Sequence, residues 1–152
     1  MNGAHPAEVR ARHDLTPDEI DGLEERLYEF NAARTGHRDA AQLSFVAEID
    51  GELVGAVAGH TWGRVCELQQ VWVHERLRGG GLGRALMDRA IQEARARGCS
   101  HAYLATNDFQ APGFYAKLGF QVVAEIPDRP LGFTEFIMRL ALGQVPPSGE
   151  AR

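Results

Sequence analysis

Residues 71–87, VWVHERLRGGGLGRALM, carry the pattern in this chain that most clearly implies chemistry. Gly79, Gly80, Gly81 and Gly83 are four glycines within five residues, set between an apolar run and an amphipathic one. Glycine at that density costs backbone entropy and gives no side chain to pack, so the gain must come from the backbone itself. A strand followed by glycines and a helix start suits an anion. The first helical turn has N–H groups without intrahelical partners, and its dipole end is positive. The dipole alone contributes only ~0.3–1 kcal/mol at an exposed site. Useful affinity therefore requires several N–H groups converging on one ligand, which glycines permit through close approach and positive φ. Arg78 adds a charge-assisted contact.

The spacing argues against two nucleotide-binding loops. A P-loop requires GxxxxGK[ST], but Gly83 is followed by Arg84 and Ala85, so the phosphate lysine and the Mg²⁺ hydroxyl are both missing. A dinucleotide fingerprint requires GxGxxG directly after its strand; here Gly79, Gly81 and Gly83 form GxGxG, and five residues separate Val73 from Gly79. Cys66 and Cys99 form neither CxxC nor a cluster at zinc spacing, so they read as reduced thiols packed as small hydrophobes, and no metal is expected. The net charge of -5 disfavours a nucleic-acid partner. No apolar run approaches the ~18 residues of a membrane span, so no membrane association is expected. The start, MNGAHPAEVR, has no signal-peptide pattern, which makes a cytoplasmic protein the expectation.

The elements around the glycines follow from periodicity. At 152 residues, 44% hydrophobic and 24% charged, the chain reads as one globular domain, with a core over about residues 8–141 and a polar, Pro/Gly-rich tail over 142–152 expected to fray. Residues 7–15 alternate weakly and predict a short strand. Thr16, Pro17 and Glu19 then form a helix start with a capping box. Ile20, Leu23, Leu27 and Phe30 or Asn31 make one stripe, and Gly36 is the stop. Asp50-Gly51 predicts a hairpin between apolar runs. Further strands are predicted at 65–74, 100–107, over FQVVAEI and over GFTEFIMRLAL. A helix over about 83–97 buries Leu82, Leu86, Met87, Ala90, Ile91 and Ala94, and APGFYAKLGF is a short helix stopped by Gly119. The result is a mixed α/β sheet with one β–α–β crossover and flanking helices.

The segment Arg78-Gly-Gly-Gly-Leu-Gly83 matches the R/Q-x-x-G-x-G/A loop of the GNAT superfamily of N-acetyltransferases. LQQVWVHERLRGGGLGRALM resembles that superfamily's central strand, loop and helix. TNDFQAPGFYAKLGF is similar to its following strand end and helix, above all in a bacterial subgroup with an N-F/D-Q-A-x-x-FY-x-K-x-GF signature. Asp-Gly-Glu-Leu-Val-Gly recurs in its early hairpin. The resemblance implies the GNAT fold, a mostly antiparallel mixed sheet whose central parallel pair splays, and an enzyme transferring acetyl from acetyl-CoA to an amine by direct attack in a ternary complex. It implies that backbone N–H groups of Arg78, Gly79, Gly80, Gly81, Leu82 and Gly83, with Arg84, hold the pyrophosphate. Val71 and Val73 would pair with the pantetheine arm, and Val71 or Trp72 would donate to the acetyl oxygen. Asn107 would meet the cofactor's amides, and Phe114 would lie in the core or along the channel.

The reaction needs a base and an acid. A lysine-like amine with pKa ~10.4 costs about 4–5 kcal/mol to neutralise near pH 7, and the thiolate leaving group needs a proton. The resemblance implies Tyr115 as the acid and Glu67 as the base, with His60, His74 and Glu48 as alternatives. Strand parity sets Glu67, Gln69, Val71 and Val73 on one face up to any bulge. The acceptor pocket is expected from Tyr28, Asn31, Arg34, His37, Trp62 and the loop IPDRPLGFTEF, with Glu125, Asp128 and Glu135 attracting an ammonium group. A small-molecule or peptide amine fits equally, and sheet edges leave room for a homodimer. The alternative reading is an acyl-CoA-binding sensor of the same fold without turnover.

Overall fold

The computed structural model describes residues 7–143, so the expected frayed tail lies largely outside the described residues. The described residues gather into two compact units, divided between His37 and Arg38.

The first unit holds helix α1, Pro17–Thr35, started as its sequence predicts. The Glu19 amide donates to Thr16 Oγ1 at 3.3 Å, and the Thr16 amide donates to Glu19 Oε2 at 2.9 Å. Gly36 closes the helix in the left-handed region at φ 77°. The strand expected over residues 7–15 does not form. Val9 and Leu15 are its only large apolar side chains and both are exposed, so no apolar face exists to pay for extension. Arg12 instead turns to Asp14 at 2.8 Å and Glu19 at 3.2 Å. Ile20, Leu23, Leu27 and Phe30 are also exposed: helical spacing predicts the helix but not burial of its stripe.

The second unit is a six-stranded sheet with helices. Its strands are β1 Ala41–Ile49, β2 Glu52–Trp62, β3 Val65–Val73, β4 His101–Asn107, β5 Gln121–Pro127 and β6 Thr134–Ala141. They lie in the order β1-β2-β3-β4-β6-β5. Every neighbouring pair is antiparallel except the central one, β3 with β4. Helix α2, Leu82–Ala96, is the crossover between these two, and α3, Pro112–Lys117, follows β4. The β1–β2 turn places Asp50 at φ 51° and Gly51 at φ 80°, the left-handed pair that a two-residue hairpin requires.

Helix α2 buries Leu86, Met87, Ala90, Ile91 and Ala94, as its periodicity predicts; Leu82 is half-buried against the same core. They pack with Leu43, Val57, Cys66, Leu68, Ala102, Leu104 and Met138 from the sheet and with Tyr115 and Phe120 from around α3. Cys66 and Cys99 are buried free thiols inside this core. Burial pushes the Cys66 thiol up to about 12, which keeps it protonated and inert.

Candidate active site

Strands β3 and β4 pair only over Val65–Leu68 and His101–Leu104, although β3 runs on to Val73 and β4 to Asn107. Beyond Leu68 and Leu104 the two strands part. Two local features produce the opening. Ala58 pairs with Gln70 while Gly59 pairs with Leu68, so Gln69 is an extra residue and β3 bulges there. Gly59 is what admits the bulge, because a Cβ at that position would run into the Glu67 carbonyl oxygen. The opening is a cavity of about 680 Å³ lined by residues 68–73 of β3, Arg78, residues 104–106 of β4, residues 109–111 and Tyr115.

The bulge lies between Glu67 and Val71, which is where the parity expectation stops applying. Cys66 and Leu68 point into the core, so Glu67 points to the opposite face. After the extra residue, Val71 and Val73 pack against the core, so Glu67 does not share their face. The backbone of this segment also alternates. The His74 amide donates to the Val54 carbonyl at 2.8 Å, which directs the His74 and Trp72 N–H groups toward β2 and those of Val73 and Val71 away from it, toward the cleft. Of the two candidate oxyanion donors, Trp72 is thus spent in the β2 ladder opposite Ala56, and Val71 is the one aimed outward. Trp72 still lines the cavity and is 43% exposed.

The glycine loop lies just past the end of the cleft. Arg78 lines the cavity and its Nε donates to the Val73 carbonyl at 3.2 Å, tying the loop to the end of β3. Gly79 and Gly81 take φ values of 78° and 87°, and nothing stands within 4 Å of where a Cβ would be. Helix α2 starts at Leu82 with Gly81 as its N-cap, no side chain capping it and no acidic residue in its first turn. The N–H groups of Leu82, Gly83 and Arg84 are therefore first-turn donors with no capping acceptor. An open, left-handed loop leading into an uncapped helix fits a pyrophosphate. At the far end of β4, the Asn107 Oδ1 is buried without a partner, an acceptor that fits an amide donor. The Asn107 backbone N–H donates to Gln110 Oε1 at 2.8 Å.

Tyr115 lies on α3, 8% exposed, and lines the cavity. Burial raises its phenol above the ordinary range, so it stays protonated at neutral pH and can serve as a proton donor. Phe114 does not line the cavity. It packs against the core, its ring edge-on to Tyr115 with 5.1 Å between centroids and beside Gly83, which is the core position that the sequence leaves open for it.

Glu67 stands at the end of the paired part of β3, one residue before the lining. Its Oε2 is 3.5 Å from His60 Nε2 across to β2, and Tyr103 on β4 stands opposite it in register on the other side. Burial first, then the Glu67 charge, raises the Tyr103 phenol. The alternative bases are otherwise placed: His74 Nδ1 accepts from the Arg76 amide at 3.2 Å, and Glu48 is exposed on β1. Of the expected acceptor groups, Glu135 is ion-paired with Arg129 at 2.9 Å, and Asp128 accepts from the Gly132 amide at 3.1 Å. Glu125 is exposed on β5, and none of these three, nor Trp62, lines the cavity. Tyr28, Asn31, Arg34 and His37 belong to the first unit. Gln69, Gln70, Phe109 and Gln110 line the cavity without having been singled out. Among the described residues no three His, Cys, Asp or Glu side chains group as a metal site, and no helix is long and apolar enough to cross a membrane.

A family model described as the acetyltransferase (GNAT) family matches residues 9–120. The blasticidin-S acetyltransferase of Streptomyces morookaense is 44% identical over 91 residues, which span 58% of this chain and 65% of that protein. The crystal structure of an acetyltransferase from Bacillus cereus superposes with a TM-score of 0.73 at 23% identity, covering 87% of this chain and 97% of that one. An aminoglycoside 6'-N-acetyltransferase complexed with coenzyme A superposes with a TM-score of 0.62 at 19% identity, over 86% of this chain and 94% of that one. These two structural likenesses are likenesses of fold.

Proposed function

The chain belongs to the GNAT acetyltransferase family, and from that premise we propose that it transfers the acetyl group of acetyl-CoA to a primary amine by direct attack in a ternary complex. One observation carries the reading: a splayed strand pair opens a cavity bounded by Arg78 at the glycine loop and by the buried phenol of Tyr115. Acetyl-CoA supplies the acetyl group already activated as a thioester.

The backbone N–H groups of residues 78–84 hold its pyrophosphate. Val71 and Val73 present outward N–H and C=O groups to the pantetheine arm as an added strand would, and Asn107 Oδ1 receives an amide N–H. The Val71 N–H donates to the acetyl oxygen as negative charge develops there. Tyr115 donates its proton to the departing thiolate, and Glu67 is the basic carboxylate for the acceptor ammonium. The acceptor is a small-molecule amine, a class supported by the names of the blasticidin-S and aminoglycoside enzymes.

The test is an amine panel of blasticidin S, an aminoglycoside, spermidine and a lysine peptide, with acetyl-CoA, following free thiol. Thiol release with particular amines identifies both enzyme and acceptor. Acetyl-CoA binding without release for any amine overturns the reading in favour of a binding module. Tyr115→Phe should lower kcat roughly 100-fold while leaving acetyl-CoA affinity near its native value. Native turnover in that variant removes Tyr115 from the acid role.

A further inference from the structure

His60, Glu67 and Tyr103 lie side by side on three adjacent strands. The β2–β3 register pairs His60 with Glu67, and the β3–β4 register pairs Glu67 with Tyr103. The row continues to Gln42 on β1 and to Arg139 on β6. It crosses the sheet on the face opposite the α2 core, and Glu67, its central member, is the last outward-facing residue of β3 before the bulge. Both side chains of the close pair are partly open to solvent, His60 at 42% and Glu67 at 32% exposed. Glu67 thus has an imidazole nitrogen at 3.5 Å on one side and a phenol in register on the other.

We infer that Glu67 and His60 act together as a proton sink for the acceptor ammonium, with Tyr103, the neighbour of Glu67 in register on β4, as the positioning residue. This rests on the acetyl-transfer reading and says where the amine's proton goes. The ammonium N–H bond breaks as an O–H bond forms on Glu67. That O–H breaks in turn as an N–H forms on His60 Nε2, leaving a neutral amine facing the thioester and an imidazolium beside a carboxylate. An imidazole is ordinarily a stronger base than a carboxylate, so the nitrogen is the favoured resting place for the proton. The other ionisable groups facing this row are His101, two residues before Tyr103 on β4 with its Nδ1 3.0 Å from Ser100 Oγ, and Arg139 opposite Tyr103 on β6.

The experiment uses native protein and three variants with acetyl-CoA and whichever panel amine gives the fastest thiol release. His60→Gln should lower kcat/KM for the amine about 10- to 100-fold near pH 7 with acetyl-CoA KM unchanged. Its acidic limb should shift to lower pH. Free imidazole should restore activity to His60→Ala, which a loss of fold would not allow. Tyr103→Phe should lower kcat and leave the limb in place. A His60→Gln profile that overlays the native one overturns the relay while acetyl transfer stands. A panel in which the native protein acetylates nothing overturns acetyl transfer itself and the relay with it.

Discussion

Helices α1 and α2 begin in opposite ways. At the start of α1 the chain satisfies its own first turn: Thr16 and Glu19 exchange hydrogen bonds, Pro17 presents no N–H, and Asp18 and Glu19 put negative charge at the positive dipole end. At the start of α2 nothing closes the turn. Gly81 offers no side chain, no acidic residue follows, and Arg84 places a cation where the dipole disfavours one. Such an arrangement is poor for an isolated helix and good for one that receives an anion. The same orphan donors are a structural problem solved locally in α1 and a binding resource left open in α2.

The sharpest way to break this contrast is to give α2 a cap like that of α1. Gly81→Asp puts a carboxylate at the N-cap, and Asp is among the residues that best tolerate the left-handed φ of 87°. It should weaken acetyl-CoA binding about 100-fold, because it removes charge-assisted donors worth ~1.5–3 kcal/mol and adds repulsion. Gly81→Asn has a similar shape and strain without the charge, and should retain most of the affinity. Isothermal titration with both variants separates charge from strain; equal losses would mean that the loop, not the anion site, was damaged. Next in size is Arg78→Ala. Arg78 is exposed and bonded to the Val73 carbonyl, so salt screens its charge and the loss should be about 10-fold. That loss should shrink as ionic strength rises. A loss independent of salt would assign Arg78 to loop structure alone.

Legibility followed the range of the interaction. Both helix starts could be read because capping boxes and glycine loops are encoded within a few consecutive residues. The parallel β3–β4 pair followed from the crossover helix between two apolar strands. The bulge did not, because an extra residue exists only relative to a partner strand. Gly59 within a strand pattern is its one local signal, and strand parity alone does not say on which side of such a bulge Val71 falls. The row of His60, Glu67 and Tyr103 depends on two registers at once, so no single segment reveals it. Phe114 and Tyr115 are neighbours of similar size, and only the packing of α3 turns one to the core and the other to the cavity. Residues 7–15 show the converse error: alternation without enough apolar residues predicts a strand that nothing stabilises.

The smallest expected effect lies at the capped end. Thr16→Ala should cost about 1 kcal/mol of local stability, seen as faster amide hydrogen exchange in the first turn of α1, with acetyl-CoA binding unchanged. The pH dependence of that turn gives a second check. The Thr16 amide, and then Arg12, hold the Glu19 carboxyl below its ordinary range. A carboxyl depressed in the folded state stabilises above its unfolded value of ~4.3, and that contribution is lost as pH falls through the lower folded value. First-turn protection in α1 should therefore fade on acidification below about pH 4, and Glu19→Gln should flatten the curve. The first turn of α2 holds no carboxylate, and Asp88 one turn on meets only the exposed Arg84 side chain at 3.7 Å, so the first-turn exchange should show no such step until acetyl-CoA is added. A carboxylate-like step at α2 in the free protein would mean that an acidic group closes that turn after all, and the contrast between the two helix starts would fail.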